Sequence, residues 1–165
     1  MDKKVPIKRS KNLIWLSRDH HDALLIVWKI RQGIRLAVSN MRMENFVANA
    51  FQKELEPHFV EEEGLLFAKL AADHELRLRA EEEHAGIRKM AAVLQPGTEA
   101  TVAALEAFCN LLEAHIRFEV RVLFPYIEQE ISPEELDLAG NRLEAEHLIK
   151  EPFVWKDEFW VKKKA

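Results

Sequence analysis

Two segments of the sequence place a glutamate four residues after a histidine, and apolar residues surround both pairs. The pairs are His58 with Glu62 and His115 with Glu119, and the segments HFVEEEGLLF and HIRFEVRVLF share this pattern through to a final Leu-Phe. Residues at i and i+4 share one face of a helix, so each pair can present an imidazole nitrogen and a carboxylate oxygen to one point. A carboxylate without a partner in a helical core is costly, because burial disfavours its charge. The two pairs therefore indicate a site in which cations neutralise the carboxylates.

Two more histidines extend this candidate site to every long helix that the sequence predicts. His20 lies at the centre of the apolar side of the first helix, whereas His21 is offset by about 100° toward its polar border. We therefore favour His20, although the adjacent pair leaves a shift by one residue open. His84 shares a helical face with Ile87 and Ala91. The candidate metal ligands are thus six side chains: His20, His58, Glu62, His84, His115 and Glu119.

The number and type of these ligands favour two metal ions. Six protein ligands shared by two ions leave coordination positions open for a small molecule. A mixture of imidazole and carboxylate suits iron or manganese better than structural zinc, which prefers a closed tetrahedral site rich in thiolates. The chain has a single cysteine, Cys109, between core residues of its helix. Because no cysteine ligand is available, two iron ions are the leading candidate.

Apolar residues recur at spacings of three and four along nearly the whole chain, which predicts an all-α fold. We expect four long helices and a short fifth one, at residues 12–41, 44–70, 80–94, 98–124 and 133–150. Thr98 is the predicted N-cap of the fourth helix, Pro125 is expected to bend or stop it, and Ser132 begins a capping box for the fifth. Short connections between long amphipathic helices favour an antiparallel four-helix bundle in up-down-up-down order, with a short additional C-terminal helix.

The chain length predicts a single folded domain, and the sequence pattern adds a flanking segment at each end. Its 165 residues are enough for one domain with a sizeable core, since 48% of them are hydrophobic. We expect a basic tail over residues 1–11, the bundle over 12–130, and a C-terminal helix with an aromatic tail over 131–165 that packs on the bundle. The tail carries four aromatic residues: Phe153, Trp155, Phe159 and Trp160.

Composition and charge argue against several classes of function. The net charge is -4 and the charged residues are spread along the chain, which argues against a nucleic-acid groove. The longest apolar run, residues 23–28, is far shorter than the ~20 residues of a membrane span, and the first residues lack the apolar stretch of a secretion signal. A single cysteine excludes an intramolecular disulfide, so we expect a cytoplasmic protein. From the charge distribution and the short apolar runs, we expect neither nucleic acid nor membrane as a partner.

Four motifs make the chain resemble the hemerythrin-like, or HHE cation-binding, family across about residues 12–130. They are RDHHDAL at residues 18–24, HFVEEEGLLF at 58–67, EHAGIR at 83–88 and HIRFEVRVLFP at 115–125. The resemblance implies a four-helix bundle around a non-haem di-iron centre that binds dioxygen or related small ligands. It also implies that the histidines are terminal ligands and the glutamates bridge the ions: His20, His58, His84 and His115, with Glu62 and Glu119.

The position one turn before His84 is Ala80, whereas the oxygen-carrying hemerythrins have a second histidine there. This difference argues against reversible oxygen carriage of the same kind. We expect a non-enzymatic protein that binds or senses dioxygen or nitric oxide, or that stores iron. One alternative is a di-iron enzyme that reduces peroxide or repairs iron–sulfur clusters, although repair is disfavoured because family members with that role carry paired cysteines. The other alternative is an interaction module in which the metal only stabilises the fold. Its aromatic tail is then the contact surface for a homodimer or another partner.

The remaining polar residues of interest are assigned to the surface. His74 falls in the connection between the second and third helices, where a surface role is favoured. The acidic runs at residues 61–63 and 81–83 are interpreted as solvated faces in which only Glu62 points inward. His147 either caps the open end of the site or is exposed, and exposure is favoured.

Overall fold

The computed structural model describes residues 9–163, and within that range every regular element is helical. Five helices follow one another: α1 (Ile14–Arg35), α2 (residues 40–65), α3 (Glu75–Val93), α4 (residues 102–130) and α5 (Pro133–Ile149). The prediction of an all-α fold is thus confirmed. Among the described residues, none of the helices combines the length and the apolar character that crossing a bilayer requires. Most of the predicted basic tail, residues 1–11, lies outside the described residues.

α1 ends at Arg35, well before the predicted end at residue 41. Ala37 then adopts a left-handed conformation, with a φ of 53°. The N–H of Val38 bonds back to the carbonyl of Gly33, which closes the last turn of the helix. Such an ending normally carries glycine, because a Cβ strains the left-handed region. With alanine at this position, the sequence contains no recognisable stop signal.

α2 and α4 each contain a widened, π-helical turn just before a proline. In α2 the segment Phe51–Leu55 precedes Pro57, and α4 has the segment Glu119–Leu123 before Pro125. Proline has no N–H, and in a regular α-helix its ring collides with the carbonyl four residues earlier. The wider turn accommodates the ring, so both helices continue past their proline. The predicted end of the fourth helix at residue 124 is therefore wrong, since the helix continues to Glu130.

The helices begin where a side chain accepts one of the first free backbone N–H groups. α4 begins after Thr101, whose hydroxyl oxygen is such an acceptor, and not after the predicted Thr98. α3 begins after His74, whose Nδ1 is the acceptor, and so it starts before the predicted residue 80. The Nε2 of His74 donates to the hydroxyl of Tyr126 in α4 at 2.9 Å. This half-buried ring therefore connects two helices, which the favoured surface role does not include. Ser132 caps α5 as predicted.

Two apolar clusters form the core, and a layer of buried polar residues separates them. In α1, Leu16 belongs to one cluster and Ala23 to the other, with the buried His20 between them. Three further buried polar residues also lie between members of the two clusters: Glu62 in α2, His84 in α3 and Glu119 in α4. The helices therefore position the candidate ligands at one common level of the core.

α5 and the segment after it pack against the first two helices. Gly140 of α5 lies so close to the turn before α1 that a Cβ at this position would collide with Asn12. Phe159 is buried against Gly33, where a Cβ would come within 2.8 Å of its ring. Three other aromatic side chains of the tail surround Phe46. The aromatic tail thus contacts the core of its own chain.

Candidate metal centre

The structure brings all six predicted ligands together in the polar layer, and each of them is at most 4% exposed. His20 is buried whereas His21 is exposed, as the position of His20 on its helix predicts. The Nε2 atoms of the histidines face the two glutamates. The distances to a carboxylate oxygen of Glu62 or Glu119 are 3.1 Å for His20, 2.9 Å for His58, 3.3 Å for His84 and 3.0 Å for His115.

The six side chains form two overlapping groups that share both glutamates. One group consists of His20, His58, Glu62 and Glu119, and in the other His84 and His115 join the same two glutamates. Within each group the ligand atoms all lie within 4.8 Å of one another. This arrangement offers two neighbouring cation positions with two carboxylates common to both.

Most of the inward-facing nitrogen and oxygen atoms have no hydrogen-bond partner, although they lie close together. They are Nε2 of His58, His84 and His115, both carboxylate oxygens of Glu62 and one of Glu119. His58 Nε2 lies 2.9 Å from Glu62 Oε1, yet the angles at these atoms do not suit a hydrogen bond. Buried polar atoms are rarely left unpaired, because they lose their hydrogen bonds to water and no other bond compensates for that loss. Nitrogen and oxygen atoms that converge without bonding to one another are typical of metal ligands, so the residues present suit bound cations.

Three of the four histidines also bond through Nδ1, the ring nitrogen that faces away from the centre. In each case the partner is a carboxylate of the preceding helix, which we call an outer carboxylate. The Nδ1–O distances are 3.0 Å for His58 with Asp19, 2.8 Å for His84 with Glu63 and 2.9 Å for His115 with Glu83. A carboxylate that accepts the Nδ1–H fixes the ring and leaves the Nε2 lone pair free, as is usual around metal-binding histidines. His20 differs, since its Nδ1 is buried without a partner.

The three outer carboxylates were not predicted from the sequence. Asp19, Glu63 and Glu83 each lie next in sequence to a predicted ligand, yet each bonds to a ligand on the following helix. Successive helical residues are offset by about 100°, which turns these side chains from the core toward the neighbouring helix. The expectation that the runs 61–63 and 81–83 are otherwise solvated is confirmed only for Glu82, because Glu63, Glu83 and the other two outward glutamates are half-buried. Their position beside a ligand is a partial signal only, because Glu61 and His21 share that position without bonding to a predicted ligand.

The favoured prediction that His147 is exposed is also wrong. Only 7% of its side chain is exposed, and its Nε2 lies 3.0 Å from a carboxylate oxygen of Asp19. His147 belongs to α5, which packs along α1. The pattern of a single helix does not reveal which neighbour it packs against, so this contact carried no signal in the sequence.

Opposite charges in the polar layer favour one another's charged forms. Burial disfavours a charged imidazole, but the negative charge of Glu119 and the hydrogen bond to Glu83 outweigh this and raise the pKa of His115 to about 10. Carboxylates also outweigh burial and raise the pKa of the other three imidazoles, those of His20, His58 and His84. Burial opposes the charge of Glu62 too, yet the neighbouring His58 helps to hold the pKa of this carboxyl well below its usual range. Without metal, the neighbouring carboxylates thus favour the protonated form of the four imidazoles.

Two phenylalanine rings cover the polar layer. Phe59 stacks on His84 with ring centroids 4.0 Å apart, and Phe124 stacks on His20 at 5.1 Å. Both phenylalanines are buried. Rings in these positions cover the candidate ligands, and a lower local dielectric would strengthen the attraction between the carboxylates and a cation.

One comparison with known proteins bears on this centre. A family model described as Hemerythrin HHE cation binding domain matches residues 14–127. No curated protein and no solved structure gave a match. The matched range includes α1 to α3 and most of α4, and with them all six converging side chains, whereas α5 lies outside it.

Proposed function

The chain belongs to the hemerythrin HHE cation-binding domain family, and from this premise we propose that it is a non-haem di-iron protein that binds a small ligand. Two iron ions would be held by His20 with His58 and by His84 with His115, and both ions would share the carboxylates of Glu62 and Glu119. The observation that carries the proposal is the pair of overlapping ligand groups, because both contain the same two carboxylates.

The proposal includes an antiparallel four-helix bundle for α1 to α4, in up-down-up-down order. Each of these helices contacts the next one along the chain, and α4 also contacts α1. The connection between α1 and α2 is only residues 36–39, and short connections favour antiparallel neighbours. The two shared glutamates would then come from helices that face each other across the core, α2 and α4.

The available donors favour iron over structural zinc. The centre offers imidazole nitrogens and carboxylate oxygens, which suit iron or manganese. Cys109 is buried beside the carbonyl of Val27, and burial raises the pKa of its thiol to about 12. A thiol that keeps its proton is not a metal ligand, so the chain does not offer the thiolates of a typical structural zinc site.

Bound iron would supply open coordination positions and a change of oxidation state to a ligand such as dioxygen, nitric oxide or peroxide. The protein holds the ions and excludes water around them. The position one turn before His84 is the buried Ala80, which offers no ligand atom, so the protein would supply one donor fewer than a second histidine would give. We therefore propose binding or sensing of a small ligand, or iron storage, rather than a catalysed reaction.

Anaerobic titration with ferrous iron tests this proposal. Metal analysis should give two iron ions per chain, and near-ultraviolet absorption should appear on exposure to air and differ under nitric oxide. Glu119→Gln should abolish uptake of both ions. The matched control is Glu113→Gln on the same helix, where the carboxylate pairs with Arg31 and not with a candidate ligand. Purification with one zinc ion and no iron uptake would contradict the proposal, and steady turnover of hydrogen peroxide would support the enzyme alternative.

A further inference from the structure

One side chain outside the matched range reaches the surroundings of the proposed centre. His147 of α5 places its Nε2 3.0 Å from Oδ2 of Asp19. The same oxygen accepts the Nδ1–H of His58, also at 3.0 Å. A continuous chain of contacts therefore connects α5, through Asp19, to a proposed iron ligand.

His147 is itself held in one orientation. Its Nδ1 donates to the carbonyl of Leu143, one turn earlier in α5, at 2.7 Å. Trp15 stacks on the imidazole with ring centroids 5.2 Å apart. Because Nδ1 donates to the backbone, Nε2 needs a second proton to donate to Asp19, and the ring is then a cation. A cation fixed on three sides is suited to hold a carboxylate in place.

The other two outer carboxylates are held in a comparable way. Glu63 accepts two hydrogen bonds from the guanidinium of Arg88, at 2.7 Å and 3.0 Å. Glu83 accepts one from Arg79 at 2.9 Å. Each outer carboxylate thus has a cation behind it, and His147 occupies that place behind the third one. The first two cations come from within the matched range, whereas the third comes from α5.

We propose that His147 is a positioning residue for the iron ion held by His20 and His58. It fixes Asp19, and Asp19 keeps the Nε2 of His58 aimed at the centre. The inference rests on the proposed function and deepens it, because the affinity for one of the two ions then depends on a helix outside the family domain. The other ion has its own outer carboxylates and cations, so it should not depend on α5.

Competition between the protein and a chelator for cobalt(II) tests this inference, since cobalt(II) bound by histidine absorbs in the visible range. His147→Ala should weaken the binding of one cobalt ion by about 10-fold, the lower end of the usual effect of such partners. The affinity for the other ion should not change. His147→Gln should restore most of the lost affinity, because its side-chain amide can still donate an N–H to Asp19.

A matched control and a second measurement separate positioning from a general loss of stability. His74 is also half-buried, and it bonds to Tyr126 instead of an outer carboxylate. His74→Ala should lower the unfolding temperature without changing either cobalt affinity. Proton NMR of the cobalt-loaded protein reports the exchangeable Nδ1–H of His58. In His147→Ala this proton should exchange faster with water, while those of the other two outer-bonded histidines should not change.

The outcomes that overturn the inference are distinct from those that contradict the proposed function. If the wild type binds two cobalt ions and His147→Ala has unchanged affinities, the inference is wrong and the proposed function stands. Equal weakening of both ions would also overturn it, since lost stability alone predicts that result. A third ion that His147→Ala removes would overturn it too, because Asp19, Glu61 and His147 would then be ligands themselves. A wild type that binds fewer than two cobalt ions would contradict both proposals.

Discussion

Around the proposed centre, three of the contacts between neighbouring helices are built alike and the fourth is built differently. Where α1 meets α2, α2 meets α3, and α3 meets α4, a carboxylate of the earlier helix accepts the outer N–H of a histidine on the later one. Where α4 meets α1, the neighbours of Glu119 in sequence are Phe118 and Val120. The outer nitrogen of His20 is buried there without a partner, and Phe124 stacks on the ring.

This difference shows that the two repeated segments are not equivalent halves. The residue after the glutamate is Glu63 in α2 but Val120 in α4. His58, His84 and His115 are oriented by hydrogen bonds to outer carboxylates, and hydrogen bonds allow only a narrow range of angles. His20 is oriented only by packing and by its bond to Glu119. We expect His20 to be the least firmly held of the four imidazole ligands.

Replacing one of the two glutamates that both ligand groups share should have the largest effect. Because Glu62 and Glu119 belong to both ligand groups, Glu62→Gln should abolish binding of both ions, whereas His20→Ala or His84→Ala should chiefly remove one. The unfolding temperature of the iron-treated variant should fall to that of its metal-free form, since stabilisation by a ligand requires binding. Metal analysis after gel filtration and thermal unfolding measure both effects. A Glu62→Gln protein that retains one tightly bound ion would mean that the glutamates do not bridge.

A change of pH should have the next largest effect. Metal ligation requires neutral imidazoles, and the pKa of His115 in the metal-free layer is raised to about 10. Protons are thus bound before metal uptake and released on uptake, so metal affinity should rise with pH through the neutral range. Each released proton makes the affinity about tenfold higher per pH unit. Calorimetric titrations in buffers of different ionisation enthalpy measure this release, and heats that do not depend on the buffer would contradict it.

Removing the outer carboxylates one at a time should have smaller, site-selective effects. Asp19→Asn should weaken the ion near His58, whereas Glu63→Gln and Glu83→Gln should weaken the other ion, each by about 10-fold. The reason is that a carboxylate which fixes a histidine acts only on the ion which that histidine binds. Cobalt(II) competition with a chelator measures both affinities. Equal effects on both ions in all three variants would show that these carboxylates stabilise the fold and do not orient single ligands.

Adding the missing carboxylate should have the smallest effect. Val120→Glu places an acidic side chain at the half-buried position in α4 that corresponds to Glu63 in α2, in the groove that Arg117 and Arg121 also line. It should tighten the ion near His20 by less than about 10-fold, because it restrains a ligand that already binds. The same cobalt competition measures this change, with Val122→Glu, an exposed position on the same helix, as the control. Weaker binding would show that the offset from a ligand does not by itself determine an outer contact.

The sequence predicts the inward-facing residues because a residue's phase within one helix fixes the face on which it lies. His20 could be distinguished from His21 in this way, and the same phase places His84 toward the core. The helix ends are harder to predict. α1 ends at a left-handed alanine, Ala37, and α4 continues past Pro125 through a π-helical turn, so both depart from the usual glycine and proline signals.

Contacts between helices are the part of the site that the sequence does not reveal. A polar residue at the border of a helix has the same phase whether it meets water or another helix, so Glu63 and Glu83 could not be distinguished from solvated neighbours such as Glu82. His147 depends in addition on where α5 packs. Once the structure shows which helices are neighbours, the offset of about 100° between successive residues explains why residues beside a ligand contact the next helix.

The most direct test of the central claim is a crystal structure of the iron-loaded protein, with anomalous scattering recorded on both sides of the iron absorption edge. We predict two iron positions about 3.5–4 Å apart in the polar layer, with the carboxylates of Glu62 and Glu119 shared between them. Glu62 and Glu119 turned toward water, or iron bound only outside the polar layer, would contradict the claim.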